Sequence, residues 1–337
     1  MQFQKEQSNI NFMKNKILVT GGAGYVGSHT VSALIKSGFE VVIVDDLSTG
    51  FKRLIHPKAR MYQVSILNTE AIKDILRNEQ IAGVIHFAAK IIVPESIAQP
   101  IEYYKNNTMG VLSVLEACKV AEVKKIVFSS TAAVYGNASM ELIKELDSVS
   151  PINPYGFSKL FSEQIIKDCE FEFGLQSVIL RYFNVAGASE SLQLGQLSKN
   201  ATHLIKIASE VACGKRDSIS ITGTDYPTID GTGVRDYIHV EDLADIHVLA
   251  IKFLLEGGKS EIFNCGYGHG VSVREVIETI RKVSGVNFKA FEEPRRPGDA
   301  AQLVADSSKV RKTLGWIPKR DSLETICRTA YLFEKSL

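Results

Sequence analysis

Tyr155 and Lys159 stand four residues apart in the stretch Tyr-Gly-Phe-Ser-Lys. On a helix that spacing puts both side chains on one face, so a phenol and an ammonium converge. A phenol has a reference pKa of about 10. To act as a base near neutrality it must fall by about three units, roughly 4 kcal/mol, and a neighbouring cation favours that change. Taken alone, a Tyr-x-x-x-Lys pair is an ordinary helix-surface pattern. A second stretch makes it informative. In FSSTAAVYG, Phe128 to Gly136, three hydroxyl residues (Ser129, Ser130, Thr131) end an apolar run and two alanines follow. Hydroxyls at such a point can orient a substrate alcohol, and for Ser129 and Ser130 plain strand-end hydrogen bonding is an open alternative. Ala132 and Ala133 cannot move a proton. The set therefore offers one base and no second acid–base pair.

A base that takes a proton from an alcohol needs something to take the hydride. TGGAGYVGS, Thr20 to Ser28, carries Gly21, Gly24 and Gly27 as Gly-x-x-Gly-x-x-Gly between an apolar run and a helical pattern. Glycine permits the tight turn and lets a pyrophosphate approach backbone N–H groups at a helix start, with Tyr25 and Val26 inside the same turn. Asp45 ends the next strand pattern, 18 residues after Gly27. A carboxylate there accepts from both adenosine ribose hydroxyls and repels a 2′-phosphate, which favours NAD over NADP. Lys52 and Arg53 lie close by and weaken that preference. Asp46 can contact the same ribose or simply be a solvated neighbour.

These residues need a scaffold. Short apolar runs at 16–20, 40–45, 83–88, 125–130 and 177–183 alternate with helical patterns at 25–37, 69–77, 104–119 and 158–173. Strands apolar throughout and separated by helices imply an α/β fold of Rossmann type, a doubly wound parallel sheet covered on both faces. Beyond about residue 186 the alternation weakens and Gly and Pro punctuate the chain. The expected division is a tail at 1–14 and an NAD-binding domain at 15–185, to which the chain returns near 232–265. A smaller α/β substrate-binding domain fills most of 186–337.

The 337 residues carry 39 basic and 38 acidic side chains, so no chain-wide field draws nucleic acid or membrane. Five cysteines are widely spaced without a C-x-x-C, and no histidine pattern suggests a metal site. No run approaches the ~20 apolar residues that span a bilayer. The first 13 residues are polar and lack a secretory apolar core; Met13 offers an alternative start. A reduced, cytoplasmic protein is expected.

The glycine turn, the hydroxyl cluster and the Tyr–Lys pair together resemble the short-chain dehydrogenase/reductase superfamily, in its extended, nucleotide-sugar-modifying branch. In that branch the last hydroxyl of the cluster, here Thr131, orients the sugar alcohol. The 4,6-dehydratases of the branch place an Asp–Glu pair where this chain has Ala132 and Ala133, which argues against water elimination. The closer resemblance, from about Lys16 to Arg320, is to its UDP-hexose 4-epimerases. Its most specific stretch is DYPTIDGTGVRDYIHVEDLA, Asp225 to Ala244. The resemblance implies an isomerase that interconverts UDP-glucose and UDP-galactose by transient oxidation at C4 with bound NAD.

It further implies catalytic roles for Tyr155, Lys159 and Thr131. Cofactor contacts are implied at Ser65, Ile66, Phe87, Ala88, Ala89, Asn106, Ser129 and Tyr182. UDP-sugar contacts are implied at Asn184, His203, Leu204, Arg235, Arg296, Asp299 and Leu303. Unaided, His203 reads as a surface histidine, and Arg235 and Arg296 as partners of Asp236 and Asp299. Ser65 departs from the family, whose relatives often carry an Asp there to accept from the adenine amine. Leu303 falls at the family's pocket gate, and its intermediate size leaves N-acetylhexosamines open. The 104–119 and 158–173 helices match a two-fold bundle in the family, so a homodimer is expected. Two alternatives stand beside this reading: an epimerase of UDP-N-acetylhexosamines or UDP-pentoses, and a non-catalytic dinucleotide sensor.

Overall fold

The computed structural model describes residues 16–138, 142–198, 201–296 and 299–337. The expected tail at 1–14, with Met13, lies outside the described residues. Seven strands form one sheet in which every pairing is parallel. They are β1 (Lys16–Thr20), β2 (Glu40–Val44), β3 (Arg60–Tyr62), β4 (Gly83–His86), β5 (Lys125–Thr131), β6 (Gln176–Tyr182) and, far along the chain, β11 (Glu261–Cys265). The spatial order is β11-β6-β5-β4-β1-β2-β3.

The reason these segments are apolar without interruption is visible in where alternate residues go. Ile17 and Val19, Val41 and Ile43, and Val178 and Leu180 face one core. Leu18, Val42 and Val44, and Ile179 face the other. A strand has period two, so a sheet covered on both sides needs apolar residues at every position. At about 1.5–3 kcal/mol for each fully buried aliphatic side chain, these two layers supply most of the drive for folding. The second face is covered by α2 (Thr69–Asn78), α5 (Gly110–Val120) and α6 (Pro154–Phe173). The first is covered by α1 (Tyr25–Lys36) and α8 (Val240–Leu255), which lie side by side.

Several expected elements differ in detail. The three-residue edge strand β3 was not anticipated, because Arg60, Met61 and Tyr62 carry no apolar run. The single helix expected over 104–119 is α4 (Pro100–Tyr103), a π-helical turn at Tyr104–Met109 and then α5. The helix expected from 158 starts at Pro154. There the Asn153 side chain accepts from the Gly156 N–H, and proline occupies the first turn, where it loses no hydrogen bond.

The rest of the chain lies at the C-terminal ends of the strands or packs on the first face. Helix α7 (Leu204–Ala212), α9 (Val273–Ser284) and α11 (Leu323–Lys335) pack together, with α10 (Ser308–Leu314) beside β11. Small ribbons pair β7 (Asn184–Ala186) with β10 (Tyr237–His239), β8 (Ser218–Thr222) with β13 (Lys289–Glu293), and β9 (Val234–Arg235) with both β12 (Val271–Ser272) and β14 (Gln302–Leu303). Helix α3 (Val93–Ala98) follows the end of β4. No helix among the described residues is long and apolar enough to cross a membrane. No group of three or more His, Cys, Asp or Glu among them could hold a metal.

Candidate active site

Strand order reverses between β1 and β4, and in open parallel sheets a crevice forms at such a point beyond the strand C-termini. The glycine turn sits in that crevice. Gly21 has φ +71°, and a Cβ there would lie 2.7 Å from the Ala88 backbone nitrogen. A Cβ on Gly27 would come within 2.2 Å of the Gly21 carbonyl oxygen. Helix α1 begins at Tyr25 after Gly24, which gives no side-chain cap, so its first-turn N–H groups face the crevice mouth without one. Such a start suits an anion. The Tyr25 hydroxyl itself donates to the Gly187 carbonyl at 2.6 Å, so this residue and Val26 can offer the crevice only backbone.

Asp45 lies just past β2 and is buried. Its carboxylate accepts from the Ala23 N–H at 3.0 Å and the Leu47 N–H at 2.9 Å. Burial raises its pKa, and the two N–H groups pull it back. Two more lone pairs remain for a diol. Asp46 is exposed and turned to Ser48. Ser65 Oγ accepts from the Leu67 N–H at 3.3 Å, and buried Ile66 packs on Gly110. These features fit a dinucleotide: a glycine cradle, an uncapped helix start and a carboxylate at the next strand end.

The chemical end gathers where β4, β5 and β6 terminate. Thr131 closes β5, and its Oγ accepts from the Ala133 N–H at 3.1 Å. Gly156 allows α6 to come close, since a Cβ there would stand 2.8 Å from the Ala133 carbonyl oxygen. Tyr155, buried at 9% exposure, is thereby brought beside the Thr131 side chain. Burial raises the phenol's pKa and the Thr131 contact lowers it. Lys159, one turn on, donates to the Ser129 carbonyl at 2.7 Å and stands 5.0 Å from the Phe128 ring centre. Burial lowers its pKa to about 7, opposed by Glu163. Lysine and phenol thus share a helix face as the spacing predicts, but here the ammonium is bound to a strand-end carbonyl.

Ser129 Oγ is hydrogen bonded to the Tyr182 hydroxyl. Phe87 packs at 4.6 Å between ring centres against His247 of α8, which also meets Tyr182 edge-on at 6.1 Å. Ala88 and Ala89 follow Phe87, and Asn106 donates to Asn107 Oδ1 at 3.0 Å. The neighbouring Asn107 is a residue the sequence reading passed over. It is buried, accepts from the Lys90 N–H at 2.8 Å, and donates to the Lys90 carbonyl and Ser158 Oγ, both at 3.0 Å. It pins the Phe87–Lys90 segment to α6. The doubled Asn was its only signal. Glu163 and His247 were also passed over; Glu163 continues the Tyr155–Lys159 stripe by another four residues.

The residues implied for the UDP-sugar fall into two neighbouring groups. Asn184, His203 and Leu204 line one cleft with Gln196, Lys206 and Phe333. His203 is exposed, and its Nδ1 meets the Gln196 amide at 2.9 Å. Arg235 and Leu303 are register partners across β9 and β14, and Asp299 stands 4.0 Å from the Arg235 guanidinium. The Asn184 N–H donates to the Asp236 carbonyl, which places the first group one residue from Arg235. Asp236 is not the partner of Arg235. It is wholly buried and accepts from the Tyr267, Gly268 and Ala305 N–H groups, which leaves the guanidinium free of it. Arg296 is exposed beside these residues in sequence. Leu303 packs on the Val134–Tyr135–Phe183 cluster.

The sequence model of the NAD dependent epimerase/dehydratase family matches residues 17–266. The chain is similar to a UDP-glucose 4-epimerase of Azospirillum brasilense, at 50% identity over 96% of this chain and 92% of that one. Among solved structures, it is similar to the UDP-glucose-4-epimerase of Stenotrophomonas maltophila with bound NAD and formylated UDP-arabinopyranose. The identity is 37% and the TM-score 0.93, over 95% of this chain and 98% of that one. The Bifidobacterium longum UDP-glucose 4-epimerase in complex with NAD+ and UDP gives 38% identity and a TM-score of 0.89 over the same shares.

Proposed function

The chain belongs to the NAD dependent epimerase/dehydratase family, and on that premise we propose that it is an isomerase interconverting UDP-glucose and UDP-galactose at C4. The observation that carries the reading is the buried Tyr155 phenol placed beside Thr131 and one helical turn from Lys159 at the dinucleotide crevice, with Ala132 and Ala133 supplying no second acid or base. NAD, when bound, would supply the hydride acceptor and donor for C4 and, in its oxidised form, a positive charge. The glycine turn would take its pyrophosphate and Asp45 its adenosine ribose. Ser65, Ile66, Asn106, and the Phe87–Ala89 segment line the rest, with Ser129 and Tyr182 at the far end.

Tyr155 takes the proton of the sugar 4-hydroxyl, which Thr131 orients, and later returns it to the same oxygen, once the sugar has turned the other face of C4 to the hydride. Burial opposes the phenolate, so its formation depends on positive charge brought close to the ring. Lys159 supplies one such charge. Tyr182 is held protonated by burial and by the neighbouring Tyr155, against the pull of its bond to Ser129, so it is no rival base. Arg235 and Arg296 would hold the diphosphate, for which planar guanidinium groups suit bidentate contact. Asn184, His203, Leu204, Asp299 and Leu303 would form the remaining walls. In this reading the sheet region binds NAD, and the segments beyond its strand ends bind the UDP-sugar.

A homodimer is part of the proposal. Ile97, Ile101, Met109, Leu112, Phe157 and Phe161 are exposed on the α3–α6 side of the molecule, and the Tyr104 and Phe161 rings stack there at 6.0 Å. Light scattering on the purified protein should give twice the chain mass; a monomer removes this part. Five free cysteines support a reduced, cytoplasmic setting. The activity is tested by offering C4-deuterated UDP-galactose and, in parallel, UDP-N-acetylglucosamine. UDP-glucose should form with the label kept on C4. Label lost to water, or stoichiometric build-up of reduced cofactor, sinks the mechanism.

A further inference from the structure

A buried ion pair lies directly beneath the site and has no place in the chemistry above. Glu163 of α6 is fully buried, one turn past Lys159, and Arg181, 3% exposed, precedes Tyr182 on β6. The guanidinium meets the carboxylate with two nitrogens, Nη2 to Oε2 at 2.6 Å and Nε to Oε1 at 2.9 Å. Ser130, between Ser129 and Thr131, donates its hydroxyl to the same carboxylate. Arg181 also donates to the Tyr135 hydroxyl at 3.0 Å, and Tyr135 donates to Asn264 of β11 at 2.7 Å. One network thus joins β5, α6, β6, β11 and the turn after Thr131.

A pair this deep is poor evidence for stability, since apolar replacements of both partners are often neutral or better. Its position is more telling. Around Lys159 lie Tyr155 and Glu163 on its own helix, Phe128 and Ser129 on β5 and His86 on β4, with Arg181 of β6 bonded to Glu163 and Tyr182 of β6 bonded to Ser129. Both tyrosines are held protonated by burial. His86 is neutral, bonded to Thr20 and driven down to about 3 by burial and by Lys159. Arg181 is already bonded to Glu163. The ammonium's direct acceptor is an uncharged carbonyl. Among these groups Glu163 is the one anion.

We propose that Glu163 is a positioning residue that keeps buried Lys159 charged, with Ser130 and Arg181 fixing its carboxylate. This rests on the roles given to Tyr155 and Lys159 above. Burial alone takes Lys159 towards neutrality, and Glu163 is the charge that opposes this. Removing that charge lowers the lysine's pKa, so a step that needs the ammonium should fail at a lower pH than in the wild type.

The test uses the holoenzyme labelled with ¹³C at lysine Cε, the Lys159 resonance being the one lost in Lys159→Met. In Glu163→Gln that resonance should titrate at least about one pH unit lower. The basic limb of kcat/KM for UDP-galactose should move the same way. Glu163→Gln leaves Arg181 buried without its anion and can fold poorly. Glu163→Met/Arg181→Met removes the opposing cation as well, so its resonance should still titrate lower than wild type but by less than in Glu163→Gln, while Glu163→Asp should largely restore the wild-type titration. A Lys159 titration within about 0.3 unit of wild type in folded Glu163→Gln, or in the double variant where Glu163→Gln does not fold, overturns the inference, whatever happens to stability or rate. If the wild type interconverts no UDP-sugar, the activity reading fails while the titration still decides this one.

Discussion

Tyr155 shows how residue type and environment divide the work. Its phenol is pushed up by burial and drawn down by Thr131, so without a positive charge beside it the ring keeps its proton at neutral pH. Tyr155→Phe should bind UDP-galactose within a few-fold of wild type and lower kcat by about 10²–10⁴-fold, read from steady-state kinetics and an equilibrium binding titration on the same preparation. An unchanged kcat would remove the residue from the reaction. Both residues and their four-residue spacing were legible in the sequence. That the Lys159 ammonium bonds the Ser129 carbonyl was not, because an ammonium has three donors and the strand end that takes one lies 30 positions away.

At the scale of elements, the strand–turn–helix from Lys16 to Lys36 depends on the closeness of backbone to backbone. A methyl group on Gly27 would meet the Gly21 carbonyl oxygen at 2.2 Å, and neither side can yield without opening the turn. Gly27→Ala should therefore cost about 1–3 kcal/mol of stability and leave the purified protein depleted in nicotinamide dinucleotide, measured by thermal unfolding and by assay of the denatured supernatant. Full cofactor content in that variant would contradict the assignment of the turn. The long apolar strands were legible because both faces of the sheet are buried. The π-helical turn at Tyr104–Met109 was not, since an i to i+5 turn leaves helical periodicity nearly intact. Nor was β3, too short to show any pattern.

The whole molecule carries four buried histidines held neutral: His29 and His247, each driven down to about 4, and His86 and His239, each driven down to about 3. Burial is the main cause in all four. In the unfolded chain they titrate near 6.5, so below that pH the unfolded state binds more protons than the folded one. Their contribution is full above about 6.5 and is lost as pH falls towards their folded values, each at up to about 1.4 kcal/mol per pH unit. The thermal midpoint should begin to drop near pH 6.5, before the carboxylates titrate. A midpoint flat from pH 7 to 5 would show that these rings are charged in the native protein.

The sequence by itself determined the parallel sheet, the glycine turn, the Tyr–Lys stripe and the missing second acid. Each is a local pattern, set by side-chain periodicity or by residues a few positions apart. Only the tertiary structure decided which distant groups face these. It brought α8 and β11 onto the sheet and set Arg181 against Glu163. It gave Asn107 its hold on Lys90, and it buried Asp236 among backbone N–H groups instead of beside Arg235. Such partnerships are made by packing between segments far apart in the chain, and no spacing along the sequence encodes them.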